Sequence, residues 1–333
     1  MKKSLIALAA LAAVGVASAQ SSVTISGQVD VGLVNPIGAQ KMRIDQSANG
    51  ANQIVFSGTE DLGGGLRATF RLAQRFSPES GADDGTAGNR VSFQGETTVG
   101  LAGGFGTVRL GRAVTAFQGP INNTDPWGTL QQATLAVLTT GYATAADFAN
   151  VSGAASGSGL GRSDGIFYTS PTFSGFTASV TYGPKDSQLT GATTTGAKNL
   201  TSAWLAYNQG PIMAGAGMEE NRSGDKIQAV QGSYNLGVAR IGATWASTNY
   251  AATTVDRKSY NVSVIAPMGA ITLKAGVGQS KLENAAASVK KTGVGVDYAL
   301  SKRTMIYASM GRDTGTGTTV SKSGFDLGVR HTF

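Results

Sequence analysis

The last eleven residues of the chain read Ser323-Gly-Phe-Asp-Leu-Gly-Val-Arg-His-Thr-Phe333, and apolar and polar side chains alternate along them. The apolar face consists of Phe325, Leu327, Val329, His331 and Phe333. Alternation with a period of two predicts a β-strand with one apolar side, which here ends on an aromatic ring. The same pattern recurs along the chain back to Val23–Leu33. It predicts an all-β fold in which the strands close into an antiparallel barrel.

The N-terminus has the features of an export signal. Lys2 and Lys3 precede an apolar run from residue 5 to residue 16, and Ala17-Ser-Ala19 fits the small-x-small pattern of a cleavage site. We therefore expect a signal peptide over residues 1–19, with cleavage between Ala19 and Gln20, and a barrel domain over residues 20–333. The alternative is a membrane anchor, which the shortness of the apolar run disfavours.

The composition indicates which solvent each barrel face meets. The chain has no cysteine, which excludes a disulfide scaffold, a thiol nucleophile and a cysteine zinc site. The polar faces of the predicted strands carry Ser, Thr, Gly, Gln, Arg and Asp, which cannot fill a dry interior. A water-filled inside and an apolar outside predict a transmembrane barrel. The net charge of +7 suits an anion-handling surface or one that faces lipopolysaccharide.

Turn signals divide the chain after the signal into strands joined alternately by tight turns and longer polar loops. Counting them predicts sixteen strands, with fourteen or eighteen as alternatives, and both termini on the short-turn side. The connection at about 114–161 is much longer than the others. We expect it to fold into the barrel and narrow the pore; the alternative is a mobile external loop.

Several segments together carry a family resemblance. They are Ser57-Gly-Thr-Glu-Asp-Leu-Gly-Gly-Gly-Leu-Arg-Ala-Thr-Phe70, Phe105–Arg112, Ile166–Phe176, Asp297–Tyr307 and Gly328–Phe333. In combination they resemble the Gram-negative trimeric porins, and most closely the beta-proteobacterial type, whose members are often anion-selective. The resemblance implies a sixteen-stranded barrel that forms a homotrimer among outer-membrane lipid and lipopolysaccharide. It also implies a third surface loop that constricts the pore and a terminal Phe333 that the outer-membrane assembly machinery reads.

The sequence departs from such porins where ion selectivity is set. Gln53 stands where many of them carry an arginine, and Ala73 and Arg75 stand where acidic residues are common. The long loop keeps Asp125 and Asp147 as its acids. The chemistry of the constriction must therefore be derived from this chain's own residues.

Arg67, Arg71 and Arg75 share the polar face of the third predicted strand and are expected to form a row down one wall of the pore. Their guanidinium groups stay charged and offer planar donors to anions, and facing lipid would cost ~2–4 kcal/mol each at mid-depth. The alternative is structural ion pairing with Glu96 or Asp30. The further candidate pore residues are Gln53, Glu96, Arg109, Arg162, Asp125 and Asp147.

The pattern therefore predicts an outer-membrane channel for passive diffusion of small hydrophilic solutes, with a preference for anions. The alternatives are a substrate-specific channel for phosphate or organic acids, and a structural or adhesive barrel with little conductance. An enzyme is disfavoured because the single histidine, His331, lies on the apolar face of the last strand. The sequence predicts no cofactor, no metal and no nucleic-acid partner.

Overall fold

A computed structural model describes most of the chain. The described residues are 22–38, 41–46, 50–83, 93, 95–127, 131–135, 162–185, 198–222, 224–251, 256–283, 288–314 and 322–333. The predicted signal peptide and Asp147 lie outside them. Within these residues the regular structure is β-strand throughout, and no helix there is long and apolar enough to cross a membrane.

The strands follow one another along the chain as antiparallel neighbours. Their bounds are β1 (Ser22–Asn35), β2 (Arg43–Gln46), β3 (Gln53–Gly63), β4 (Leu66–Ser77), β5 (Ala82–Asp83), β6 (Glu96–Gly103), β7 (Gly106–Val114), β8 (Arg162–Thr169), β9 (Phe176–Gly183), β10 (Leu200–Gln209), β11 (Ile212–Glu220), β12 (Lys226–Asn235), β13 (Arg240–Asn249), β14 (Asp256–Met268), β15 (Ile271–Leu282), β16 (Val289–Ala299), β17 (Thr304–Asp313) and β18 (Ser323–Thr332). The short β2 and β5 lie in long connections, and the other strands form a closed barrel of sixteen, as the sequence predicted.

The first strand closes the barrel by pairing with two partners. Residues 22–28 of β1 pair with β3, and residues 28–35 pair with β18 from Thr332 to Phe325. The backbone of Phe333 continues this seam, because its N–H donates to the Gly27 carbonyl at 3.0 Å and its carbonyl accepts from the Gly27 N–H at 2.9 Å. The Phe333 ring covers the space that a side chain at position 27 would fill. No strand edge of the seam is therefore left open at the C-terminus.

Side chains alternate between the two faces of the barrel. Val99, Leu110 and Met310 point outward and are 61%, 50% and 51% exposed, whereas inward-facing Ser309 and Asp326 are 5% and 1% exposed. Large apolar side chains that cover an outer surface are stable in hydrocarbon and unfavourable in water. This confirms the predicted arrangement of an apolar, membrane-facing outside and a polar inside.

Tight turns lie at one end of the barrel and the long connections at the other. The β3–β4 turn uses Gly63, Gly64 and Gly65, with φ angles of 84°, 60° and 81°. Only glycine adopts these angles without strain, so this turn is fixed by its sequence. Ser22, the first described residue, and Phe333 both lie at the tight-turn end, which corresponds to the periplasmic side of such barrels.

Candidate functional site: the pore wall

The long connection after β7 begins inside the barrel. The N–H of Ala116 donates to Thr181 Oγ1 at 3.0 Å, and the N–H of Phe117 donates to Ser202 Oγ at 2.9 Å. Farther along, the Pro120 carbonyl accepts from Gln231 Nε2 at 2.8 Å. These partners belong to inward-facing positions of β9, β10 and β12. Residues 115–120 therefore lie against the inner wall.

The same segment continues across the remaining strands. Thr124 is hydrogen-bonded to Thr244 of β13 and accepts at its carbonyl from Ser263 of β14. The N–H of Gln132 donates to Asp326 Oδ2 of β18 at 2.7 Å. We call residues 115–127 with 131–135 the docked segment. Residues 128–130 and 136–161 lie outside the described residues, so constriction of the pore by the whole loop stays a prediction.

Apolar contacts anchor the docked segment on the inner wall. Phe117 packs edge-on against Trp204 of β10, with ring centroids 5.6 Å apart and planes at 74°. Both belong to one buried cluster, whose members are Phe117, Ile121, Trp204, Ile227, Ala229 and Ala246. Burial of these side chains removes apolar surface from water and stabilises the segment on the wall.

Glycines on the inner wall let the docked segment approach closely. A side chain at Gly295 would come within 2.6 Å of Trp127 Nε1, and one at Gly311 would clash with the Gln132 carbonyl. Since real Cβ atoms do not approach other atoms so closely, these positions of β16 and β17 require glycine for the observed packing. The sequence shows glycines that alternate with outward apolar residues, but it does not show that these glycines make room for the docked segment.

Asp125 serves the internal structure of the docked segment. Its carboxylate accepts from the N–H of Trp127 at 2.9 Å, from Thr134 Oγ1 at 2.7 Å and from the N–H of Leu135 at 2.7 Å. The residue is only 7% exposed. These bonds tie the two described pieces of the segment together, and a role of Asp125 in selectivity stays a prediction.

A charged cluster lies on the opposite wall. Arg71 Nε of β4 lies 3.0 Å from Glu96 Oε2 of β6, and Arg109 Nη1 of β7 lies 2.6 Å from Glu96 Oε1. The side chains of Arg71, Arg109 and Glu96 are 42%, 33% and 18% exposed. One carboxylate cannot neutralise two guanidinium groups, so this Arg71–Glu96–Arg109 cluster keeps an excess positive charge that faces the lumen.

A cavity of about 280 Å³ adjoins this cluster. Its walls include Glu96, Arg109, Phe167, Pro120 and Thr181. The guanidinium carbon of Arg109 lies 5.7 Å from the centroid of the Phe167 ring, so that the ring supports one face of the cation. The cavity thus joins a cation, an aromatic surface and hydroxyl groups beside the docked segment.

The predicted row of arginines is present on the inner face of β4 but is not continuous. Arg67 pairs in register with Asp61 next to the tight turn, and Arg75 pairs in register with Gln53 near the loop end. Consecutive arginines are four residues apart, which is ~13 Å along a strand. The backbone positions of the three arginines therefore lie at separate depths of the wall.

Arg162 lies apart from the cluster. It shares the alternation of Asp164 and Ile166, and Ile166 points to the membrane and is 47% exposed. The Arg162 Nε donates to the Gly95 carbonyl at 2.6 Å. This geometry does not bring Arg162 together with Arg71 and Arg109, and its selectivity role stays a prediction.

Two inward-facing groups were missed by sequence reasoning. Arg257 of β14 is 1% exposed, with its guanidinium carbon 5.9 Å from the Tyr250 ring centroid. Glu219 of β11 is 3% exposed and accepts hydrogen bonds from Thr115 and Gln118 of the docked segment. Strand alternation would have placed both on the inner face, but it carries no signal for the loop that buries Glu219. Among the described residues no cluster of His, Asp and Glu is suited to hold a metal ion.

Comparisons with known proteins agree with this architecture. The profile of a family described as Gram-negative porin matches residues 6–318. Outer membrane porin protein 32 of Delftia acidovorans is 32% identical over 373 aligned residues, which cover 100% of both chains. Major outer membrane protein P.IB of Neisseria sicca is 37% identical over 194 residues, which cover 56% of this chain and 48% of that protein.

Solved structures show the same fold. The anion-selective porin from Comamonas acidovorans superposes with a TM-score of 0.76 at 25% identity, over 94% of this chain and 100% of the other. OmpT of Vibrio cholerae, solved in a trimer form, superposes with a TM-score of 0.65 at 14% identity, over 94% of this chain and 99% of that one. The second likeness concerns the fold alone.

Proposed function

Because the chain belongs to the Gram-negative porin family, we propose that its outer-membrane barrel lets small hydrophilic solutes diffuse passively and favours anions. The family and the fold indicate a channel rather than an enzyme. The water-filled path runs along the inner wall, between the docked segment and the strands that carry the arginines.

The Arg71–Glu96–Arg109 cluster is the observation that carries the anion preference. It keeps excess positive charge with Arg71 42% exposed to the lumen. A charge raises the local anion concentration within a Debye length, which is ~8–10 Å at physiological salt and comparable to a narrow pore. Guanidinium offers several donors to carboxylate and phosphate, and because Arg71 is partly exposed, water can replace these contacts as an anion passes. The anion-selective Comamonas porin, at 25% identity, supports this proposal.

We further propose that the loop at about 114–161 narrows this path and that Arg67, Arg75 and Gln53 contribute to selectivity at other depths. Support comes from the docked segment, which already brings the loop into the lumen, and from the inward register of the three side chains. Asp147 and Arg162 are retained as candidates on their sequence positions alone.

The reversal potential across a planar bilayer under a salt gradient tests the proposed function. We expect its sign to indicate anion preference and its magnitude to shrink toward molar salt, because ions then screen the cluster. A cation-selective reversal potential would contradict the proposal. Conductance that saturates at low concentration of one anion would instead favour a substrate-specific channel, and absence of conductance would favour a structural barrel.

We propose that the protein works as a homotrimer whose assembly depends on Phe333. Membership of the Gram-negative porin family supports the first part, and the position of Phe333 in the seam between β1 and β18 supports the second. Unheated gel samples should migrate as a trimer. Deleting Phe333 should reduce the amount of this band, while single-channel conductance of the assembled fraction stays unchanged.

A further inference from the structure

A buried lysine lies at the boundary between the wall and the docked segment. Lys291 faces inward on β16 and is 3% exposed. It stands directly opposite Asp313 of β17, and the next inward position of β16 is Gly293. A side chain at Gly293 would meet Ala133 and Trp127 of the docked segment. Lys291 therefore lies beside the docked segment, one inward position closer to the loop end.

Carboxylates lie near the Lys291 ammonium group on both sides of this boundary. Asp313 and Asp326 belong to the wall, and Asp125 belongs to the docked segment. All three act on Lys291 as electrostatic attractions through space. Asp326 also accepts from the N–H of Gln132, so its carboxylate contacts the docked segment directly. One ammonium group thus stands among three carboxylates at a buried boundary.

The other inward cations on the described parts of β15 to β18 have carboxylates of their own. Lys274 Nζ lies 2.5 Å from Asp297 Oδ2. Arg330 is opposite Asp30 in the strand register. On these described strands, Lys291 is therefore the cation that serves the carboxylates beneath the docked segment.

The charge of Lys291 determines whether electrostatics hold or repel the docked segment. Without this charge, Asp125 would lie near Asp313 and Asp326 with no cation between them, and like charges repel more strongly where little water screens them. The ammonium group offsets that repulsion and attracts the segment's own carboxylate. A buried ammonium group is in turn costly unless carboxylates compensate it, so the lysine and the acids depend on one another.

We propose that Lys291 is a positioning residue whose charge holds Asp125 of the docked segment beside the wall carboxylates Asp313 and Asp326, and thereby keeps the pore narrow. Hydrogen bonds and apolar contacts fix where the segment lies, and the charge of Lys291 sets how firmly it stays there. The inference rests on the proposed channel function and deepens it by assigning the position of the segment to one side chain.

Protease cleavage of the folded, full-length protein measures how often the docked segment leaves the wall. Chymotrypsin cuts after aromatic residues, and Trp127 is only 2% exposed, so the fragment that ends at Trp127 reports undocking. When redocking is fast, the rate of cleavage follows the population of the undocked form. Lys291→Met removes the charge and keeps a long apolar side chain. We expect about tenfold faster cleavage after Trp127, together with higher single-channel conductance.

Two rescue variants separate the charge of Lys291 from its packing. Lys291→Arg keeps the charge, and its cleavage rate should stay within about twofold of that of the unaltered protein. Lys291→Met combined with Asp313→Asn restores the net charge of the cluster and should recover most of the lost protection. A double-mutant cycle of these variants measures the coupling between the two charges. A merely structural lysine would leave the combined variant as open to cleavage as Lys291→Met alone.

Lys290→Met is the matched control. Lys290 adjoins Lys291 in sequence but is exposed on the outer face, so cleavage and conductance of this variant should match those of the unaltered protein. Equal cleavage of Lys291→Met and the unaltered protein would overturn the proposal, as would absence of recovery in the combined variant.

If Lys291→Met does not assemble, Asp313→Asn alone decides the question. Loss of this carboxylate removes a repelling charge and leaves Lys291 to act on Asp125, so cleavage should slow by about threefold. Unchanged or faster cleavage would contradict the proposal. A barrel of the unaltered protein without conductance would instead contradict the channel function, while the cleavage comparison would stay valid. The two failures are thus distinguishable.

Discussion

The two halves of the inner wall are built from the same alternating strands but differ in how their polar groups are used. On β3, β4, β6 and β7 the inward charges of Arg71 and Arg109 remain partly exposed to the lumen. On β9 to β18 several inward polar groups are buried against the docked segment, as Ser202 and Asp326 are. One half therefore presents charge to the lumen, and the other holds the docked segment.

The halves also differ in the side chains that they select. The covered half needs glycine where the segment lies closest, as at Gly295 and Gly311, and hydroxyls or carboxylates where its backbone must be satisfied. The open half accommodates long cations, because the side chains of Arg71 and Arg109 remain 42% and 33% exposed. Changes in the covered half should thus alter pore size, whereas changes in the open half should alter the preference between ions.

Gly311→Val is expected to have the largest effect, because it displaces the docked segment from the covered half of the wall. A side chain at position 311 clashes with the Gln132 carbonyl, so the docked segment must leave this part of the wall. We expect a loss of ~1–3 kcal/mol in the free energy of unfolding, as for other overpacked sites. We also expect higher single-channel conductance and faster entry of large neutral sugars in liposome swelling.

Gly232→Val is the control for this change. Gly232 lies in the middle of β12, and a side chain there meets only the Met213 carbonyl, at 3.6 Å. Conductance and sugar entry should match those of the unaltered protein. An unchanged conductance in Gly311→Val would mean that the docked segment does not determine the width of the pore.

Arg71→Gln combined with Arg75→Gln tests the open half. A passing ion ~7 Å from one charge in water interacts with it by about RT, which is roughly a threefold factor in local concentration. The double variant should therefore shift the reversal potential toward zero at low salt, while the heat stability of the assembled protein on gels stays nearly the same. If the double variant keeps full anion selectivity, then the arginines of β4 are structural and selectivity resides elsewhere.

The open half could be predicted from sequence, and the covered half only in part. Turn signals predicted the strand count, and period-two alternation, which determines the face that a residue occupies, predicted the outward apolar band and the inward side of Arg67, Arg71 and Arg75. The alternation does not indicate whether an inward-facing side chain contacts solvent or the docked segment. The contact of Phe117 with Trp204 and the burial of Asp125 depend on a loop whose path is set by contacts between residues distant in sequence.

Glu96→Gln is expected to have the smallest effect, and it tests how far one carboxylate offsets the positive charge of the open half. Glutamine keeps the size of the side chain and its carbonyl oxygen near Arg71 and Arg109, but it removes the carboxylate charge that now partly neutralises both. The anion-to-cation permeability ratio should rise about twofold at low salt, since both guanidinium charges then act fully on the lumen. The gain should vanish near molar salt, where the Debye length falls to ~3 Å.

Asp61→Asn is the matched control for Glu96→Gln. Asp61 pairs in register with Arg67 at the tight-turn end of the barrel, so removal of its charge should change the permeability ratio less. A fall in anion preference in Glu96→Gln would contradict this expectation. It would mean that Glu96 matters more for holding Arg71 and Arg109 in position than for neutralising their charge.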